Sequence, residues 1–313
     1  MEEPESASIR LKIFDWLQYK AETSEDVFDR KDLLSGFVHQ GDAVPLLGLQ
    51  GIFKPKMIRY YPISITTSPE SPYKDELGRN QLIQYKYRGT DPGFHENVRL
   101  KKAMDDRIPL VYFIGLIPGK YLALFPVFIV EADDATLTFT VEVSAECDKV
   151  WKNLDLNSSH DPIFDEVRRE YSSRETIFRI HQREFRERVL YAYREHCSFC
   201  SLKHRELLDA AHIIPDSMGG AATVNNGISL CKIHHSAFDK SILGINEDYL
   251  IEVRKDILEE IDGPMLKYGL QEMHHRKIIL PRSHRFNPDK QLIRERFDQF
   301  INCLLYTSPS PRD

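Results

Sequence analysis

The spacing of apolar residues changes several times along the chain. Between about residues 8 and 35 ("IRLKIFDWLQYKAETSEDVFDRKDLLSGF") apolar positions recur every three or four residues. That period predicts one or two amphipathic helices, closed by Gly36. From about 37 to 145 the pattern turns to strands and turns. "LIQYKY" (82–87), "PLVYFIGL" (109–116), "YLALFPVFIVEAD" (121–133) and "TLTFTVEV" (136–143) are rich in aromatic and β-branched residues. "RGTDPG" and "IPGK" punctuate them as turns. "ENVRLKKAMDD" (96–106) predicts a short helix between two strands. "ECDKVWKNLDLNSSHDP" (146–162) is polar and irregular. Helical spacing returns over 172–197, where Ile177, Phe178, Phe185, Val189 and Tyr193 recur with arginines between them. Farther on, 254–281 predicts a short helix and a strand, and "PDKQLIRERFDQFI" (288–301) a terminal helix. There is no internal repeat.

The fold class expected from this order is α+β. Residues 1–36 form an N-terminal helical segment, 37–145 a β-rich domain, 146–171 a linker and 172–303 a second domain. The last ten residues, 304–313 ("LLYTSPSPRD"), fit neither pattern. They look like translated adapter sequence on a truncated reading frame, so this tail is set aside as non-native.

Length and composition narrow the class. A chain of 313 residues has room for two domains with their own cores. At 42% hydrophobic and 29% charged it has the composition of a globular protein. No run of 18 apolar residues predicts a membrane span. The start, "MEEPESASIR", lacks the basic, then apolar, order of a secretory signal. The expectation is an intracellular protein with no membrane partner, cytoplasmic, or nuclear in a eukaryote. Net charge is −6 but uneven. Residues 1–170 carry 21 Lys/Arg against 28 Asp/Glu, whereas 171–300 carry 20 against 19 and nine of the twelve histidines. Any nucleic-acid contact therefore has to rely on a local basic patch rather than on overall charge.

Metal chemistry is the strongest signal in the second domain. Of the five cysteines, Cys197 and Cys200 form C-x-x-C, and Cys231 pairs with His234 as C-x-x-H. Two short pairs separated by a loop are what a tetrahedral structural zinc needs. Its binding energy would be part of the domain's folding energy. His235 follows directly, and neighbouring side chains point apart, which leaves it for another task. Asp239 stands four residues on, on the same helical face, where the two could hold a divalent cation.

The order "CSFC … AAHIIPDSMGG … NNGISLCKIHHSAFD" resembles the HNH endonucleases, the ββα-metal nucleases, over about residues 180–300. It looks closest to the zinc-stabilised branch found among restriction endonucleases that cut modified DNA. "REFRERVLYAYREHC" and "ILPRSHRFNPDKQLIRERF" agree with that branch on either side. The resemblance implies a ββα-metal domain with a structural Zn2+ knuckle, and Mg2+ or Mn2+ at the catalytic centre. By this likeness His212 is the general base and Asn226 positions the catalytic loop, with Asn225 the alternative if the register slips by one. His235 and Asp239 ligate the catalytic cation. Many members carry Asp or His just before the base, where this chain has Ala211. Strand alternation puts Asp209 on the side of Ala211, so Asp209 is a substitute ligand from farther along the strand.

The implied reaction is hydrolysis of phosphodiester bonds in double-stranded DNA, in the role of restriction of modified DNA. Two alternatives stand beside it: a repair or mobile-element nuclease, and a catalytically degenerate DNA-binding protein. A homodimer is one arrangement that would cut both strands. The β-rich domain weakly resembles the PUA-like or SRA-like domains fused to such nucleases, which bind modified bases. Tyr85, Tyr87, Phe94, Tyr112 and Phe113, with Arg88, are its candidates for a base pocket, or else strand core. Arg99, Lys101 and Lys102 are candidates for phosphates, or a solvated helix face. In the second domain Arg179, Arg183, Arg186 and Arg194 fall roughly along one side of the long helix and could grip the DNA backbone. The opposing reading is an exposed helix balanced by Glu175, Glu184, Glu187 and Glu195.

Overall fold

The computed structural model describes residues 3–24, 26–69, 82–143 and 179–307. The expected linker (146–171) lies outside these residues. The chain separates into two compact units, Met1–Arg183 and Glu184–Asp313.

In the first unit the order is α1 (Pro4–Ser24), β1 (Val27–Asp29), α2 (Arg30–Ser35), then a hairpin of β2 (Phe37–His39) and β3 (Asp42–Val44). Strands β4 (Ile52–Phe53), β5 (Ser64–Thr67) and β6 (Ile83–Lys86) follow, then helix α3 (His95–Asp105) and strands β7 (Leu110–Ile117), β8 (Lys120–Asp133) and β9 (Thr138–Val143). Seven strands form one sheet in the order β4-β5-β7-β8-β9-β6, with β1 on β8. The β5–β7 pair is parallel and the other pairs antiparallel.

Strand β7 explains why "PLVYFIGL" shows no alternation. Val111 and Phe113 enter one apolar cluster, and Leu110, Tyr112 and Leu116 enter another on the opposite face. A strand buried on both faces reads as a continuous apolar run. The first cluster is closed by α1 through Ile9, Ile13, Phe14 and Leu17, all buried. The second is covered by α3 through Leu100. The helical period set residues 1–36 apart, yet α1 is part of this sheet's core. Gly36 ends α2 at φ +62°, and a Cβ there would stand 1.7 Å from the Val44 carbonyl oxygen. Only glycine fits both constraints.

The candidate base-pocket aromatics divide. Tyr85, Tyr87, Tyr112 and Phe113 are core residues, with Tyr85 edge-on to Tyr112 and Tyr87 stacked on Phe139. Phe94 and Arg88 keep partial exposure, the guanidinium 5.0 Å from the ring centroid. Lys101 pairs with Asp134.

The second unit takes the end of a helix over 179–192, α4, then β10 (Leu208–His212), β11 (Gly227–Cys231) and α5 (Lys232–Asp239). A hairpin of β12 (Leu243–Ile245) and β13 (Ile251–Val253) leads to α6 (Lys255–Glu259), α7 (Pro264–Gly269) and α8 (Lys290–Thr307). Phe185, Val189, Tyr193, Ile228, Phe238 and Ile293 meet in its core. The strand expected near 277–281 is absent; an isolated bridge, Leu250 to Lys277, stands in its place. Helix α8 runs to Thr307, through the start of the segment set aside as a tail. Among the described residues no helix is long and apolar enough to cross a membrane.

Truncating Leu17 tests whether α1 belongs to the core. Leu17→Ala is expected to cost about 2–5 kcal/mol in denaturant unfolding. A cost under about 0.5 kcal/mol would place α1 outside it.

Candidate active site and metal centre

Strands β10 and β11 pair antiparallel from Leu208–Cys231 to His212–Gly227, and α5 starts directly after Cys231. This ββα unit positions the candidate side chains. His212 ends β10, half-buried, its ring stacked on Phe185 with centroids 3.9 Å apart and planes at 12°. Gly227, opposite it, gives Phe185 and Val189 room: a Cβ there would lie 2.4 Å from Val189 Cγ2 and 2.9 Å from Phe185 Cζ. Burial pulls the His212 pKa below the ordinary imidazole value, with His235 acting in the same direction and Asp216 and Asp239 against it. That shift favours the neutral imidazole, the form with a lone pair to offer.

His235 and Asp239 share one face of α5, with Nε2 to Oδ2 at 3.3 Å. Asp209 reaches the same imidazole from β10, its Oδ2 3.6 Å from Nδ1. The bond to Asp209 is the chief cause of a raised His235 pKa, partly opposed by burial. The two carboxylates thus meet opposite edges of one ring and do not converge on one point. A cation on Nε2 could share Asp239, while Asp209 would orient the ring through Nδ1. That differs from the expectation of Asp209 as a replacement ligand for the position of Ala211. Ala211 is fully buried in the apolar core and carries no donor atom.

The second constellation lies at the junction of β11 and α5. The ligand atoms of Cys197, Cys200, Cys231 and His234 all lie within 4.8 Å of one another. His234 Nδ1 stands 3.3 Å from Cys197 Sγ and 3.2 Å from Cys231 Sγ. Its Nε2 points the other way, 2.8 Å from the Gly269 carbonyl oxygen. A carbonyl accepting Nε2–H leaves Nδ1 bare toward the thiols, the tautomer that metal ligation requires. Without a metal the sulfurs conflict: contact with Cys197 raises the Cys200 pKa and lowers that of Cys231. A divalent cation lets all three ionise together. The donor set fits such an ion. His234 is buried and His235 half-exposed, so adjacent histidines serve different places, as their sequence adjacency suggested.

Residues 197–246 match the family model described as HNH endonuclease. This segment is an HNH endonuclease domain. No curated protein matches the chain. Among solved structures, a modification dependent TagI restriction endonuclease is similar at 16% identity, covering 77% of this chain and 82% of that one, with a TM-score of 0.29. The Type IV phosphorothioation-dependent restriction endonuclease ScoMcrA is similar at 13% identity, covering 56% and 49%, with a TM-score of 0.19. Likenesses this distant carry no weight on the fold.

In the HNH domain the two asparagines do different work. Asn226, 1% exposed, accepts from the Ile214 N–H (2.9 Å) and donates to the carbonyls of Ile214 (3.0 Å) and Ala221 (2.9 Å). It clamps the loop that follows His212. Asn225 donates instead to the carbonyls of Arg285 (2.9 Å) and Asn287 (2.8 Å), tying down the segment before α8.

The four arginines do not form one stripe. Arg179 is exposed and Arg183 half-buried. Arg194 lies beyond the end of α4, in a left-handed conformation at φ +55°. Arg186 turns inward: Nη2 donates to the Leu208 carbonyl at 2.8 Å, and Nε lies 3.8 Å from Asp209. It braces the strand that carries His212. Glu187, expected on an exposed face, is buried and bonded to Arg205. Sequence reasoning missed Arg186 as a brace, Gly227 as a spacer, and the Gly269 carbonyl behind His234. Phe185 was legible only as an apolar helix position.

The Asn pair yields a direct comparison. Asn226→Ala removes three bonds from a buried site and is expected to cost about 2–4 kcal/mol in chemical unfolding, against about 1 kcal/mol for Asn225→Ala. Equal costs would deny Asn226 its clamping role.

Proposed function

We propose that this protein is a metal-dependent DNA endonuclease that restricts modified DNA. The observation that carries the reading is the ββα unit of the HNH domain, in which half-buried His212 ends β10 and the His235–Asp239 pair lies on α5. His212 takes a proton from the attacking water through its lone pair. Phe185 holds the imidazole plane, and Asn226 fixes the backbone just beyond it. His235 and Asp239 hold Mg2+ or Mn2+, with Asp209 setting the ring. A divalent cation held there would supply positive charge against the charge that develops on the phosphate and the leaving 3′ oxygen. Cys197, Cys200, Cys231 and His234 hold structural zinc, the usual ion for a closed set of thiolates and one imidazole.

The first unit chooses the DNA, in the manner of a PUA-like or SRA-like domain. Arg88 and Phe94, the partly exposed members of its aromatic set, form the patch to test for contact with a base. The support for this assignment is a β-rich sheet in the same chain as a nuclease domain, together with the sequence resemblance of the β-rich domain.

Purified protein is expected to nick plasmid DNA with Mg2+ or Mn2+, and His212→Ala to lower the rate by at least about 100-fold. Wild-type rates in His212→Ala would remove the base assignment. Because burial holds the His212 pKa below 6.5, the acid limb of the pH–rate profile should fall below pH 6.5. The base works unprotonated, so activity is lost only as pH drops through that lowered value. A limb centred above 6.5 contradicts it. DNA containing 5-methylcytosine or 5-hydroxymethylcytosine should be cut faster than unmodified DNA of the same sequence. Equal cutting of all three would leave a nuclease without the restriction role.

A further inference from the structure

Three side chains of the second unit take no part in the sites above. Glu252 lies on β13, and His274 and His275 follow the one-turn helix Gln271–Met273. His274 Nδ1 is 3.5 Å from Glu252 Oε2, and His275 Nδ1 is 3.5 Å from Oε1. Each carboxylate oxygen faces one imidazole. The two rings lie 3.7 Å apart at their centroids, tilted by 31°.

Consecutive side chains ordinarily diverge, and these converge on one carboxylate. The backbone conformation accounts for it. His275 sits at φ +62°, in the left-handed region, where a residue with a Cβ pays about 1–2 kcal/mol. Its N–H is fixed on the Ile251 carbonyl at 2.8 Å, which keeps the turn against β13. Strain of this kind, held by its surroundings, clusters where side chains must be gathered for a task.

The hydrogen bonding turns acceptors toward one another. The Val253 N–H points at His274 Nδ1 from 3.3 Å, which marks that nitrogen as an acceptor; a cation on its single lone pair would displace this long bond. The nitrogen then faces Glu252 Oε2, also an acceptor, with no proton between them. Glu252 Oε1 already receives Asn246 Nδ2–H at 3.1 Å, a bond that orients the carboxylate. For a tetrahedral ion with bonds of about 2.1 Å, nitrogen and oxygen ligands lie about 3.4 Å apart. The gap from each imidazole to its facing oxygen is close to that edge length, and one ligand atom from each of the three residues lies within 4.8 Å of the others.

We propose that Glu252, His274 and His275 form a second metal site, separate from the cysteine knuckle, for a divalent transition metal of the zinc type. Two imidazoles with one carboxylate favour such an ion over Mg2+ or Ca2+, which prefer oxygen ligands. His275 is 64% exposed along its side chain, so water completes the coordination from the solvent side. The site staples β13 to the turn after α7, the same stretch whose Gly269 carbonyl sets His234. The two sites are thus successive fastenings of one segment.

The test is elemental analysis of full-length protein, loaded with zinc and dialysed, in a His235→Ala background that removes zinc binding at the candidate active site. About two zinc ions per chain are expected, falling to about one when His275→Gly is added. Glycine suits the left-handed backbone, so the double variant should fold at least as well as its parent without added metal. Added zinc should raise the melting temperature of the parent and not of the double variant. Glu252→Gln, which keeps the side-chain shape, should weaken the second zinc at least tenfold in a calorimetric titration. One zinc per chain in the parent overturns the proposal. So does a second zinc bound equally well by parent, His275→Gly and Glu252→Gln proteins, or a zinc-induced rise in melting temperature that survives in His275→Gly.

Discussion

Cys231 is the last residue of β11, the residue that caps α5 and the strand partner of Leu208, and its sulfur belongs to the Cys197–Cys200–His234 group. A tether at that point fixes the angle between hairpin and helix. Everything placed on the two strands and the helix inherits its position from it. A hairpin of five-residue strands beside an eight-residue helix has little intrinsic stability. A metal bond network is a strong way to hold so small a unit, because ligand binding and folding share one free energy.

From that joint the chemistry spreads by adjacency. His234 turns in to the sulfurs and the Gly269 carbonyl, and His235 turns to Asp209 and Asp239. One residue step separates the Cys197–Cys200–Cys231–His234 group from the His235–Asp209–Asp239 cluster. His212 is set from the other side, by Phe185 against its ring and by Asn226 on the loop that follows. Arg186 joins these supports by gripping the Leu208 carbonyl and approaching Asp209. A few buried contacts thus orient a half-exposed site, as a site needing fixed geometry requires.

The cysteine and histidine spacings were readable because metal ligation imposes short, regular intervals on a chain. Asn226 could not be separated from Asn225 by spacing alone; burial and partners separate them. Strand alternation put Asp209 on the side of Ala211, but its contact with His235 depends on how α5 crosses the hairpin. Strands β6 to β9 announced themselves by composition, whereas β1 to β5, of two to four residues, are too short to carry a period. Helix α1 looked separate because its period differs from that of the strands, although the same apolar face closes the sheet's core. Local pattern reports an element's type, and the partner of its apolar face is a tertiary fact. Partly buried Arg186 and buried Glu187 show the same limit, since charged residues on a helix read as solvent-facing until their partners are known.

If the metal joint at Cys231 holds the ββα unit together, amide hydrogen exchange should show it most directly. Protein stripped of zinc should lose protection across β10, β11 and α5, while β7 and β8 of the first unit keep theirs. Unchanged protection of 208–212, 227–231 and 232–239 in protein verified as zinc-free would contradict the account.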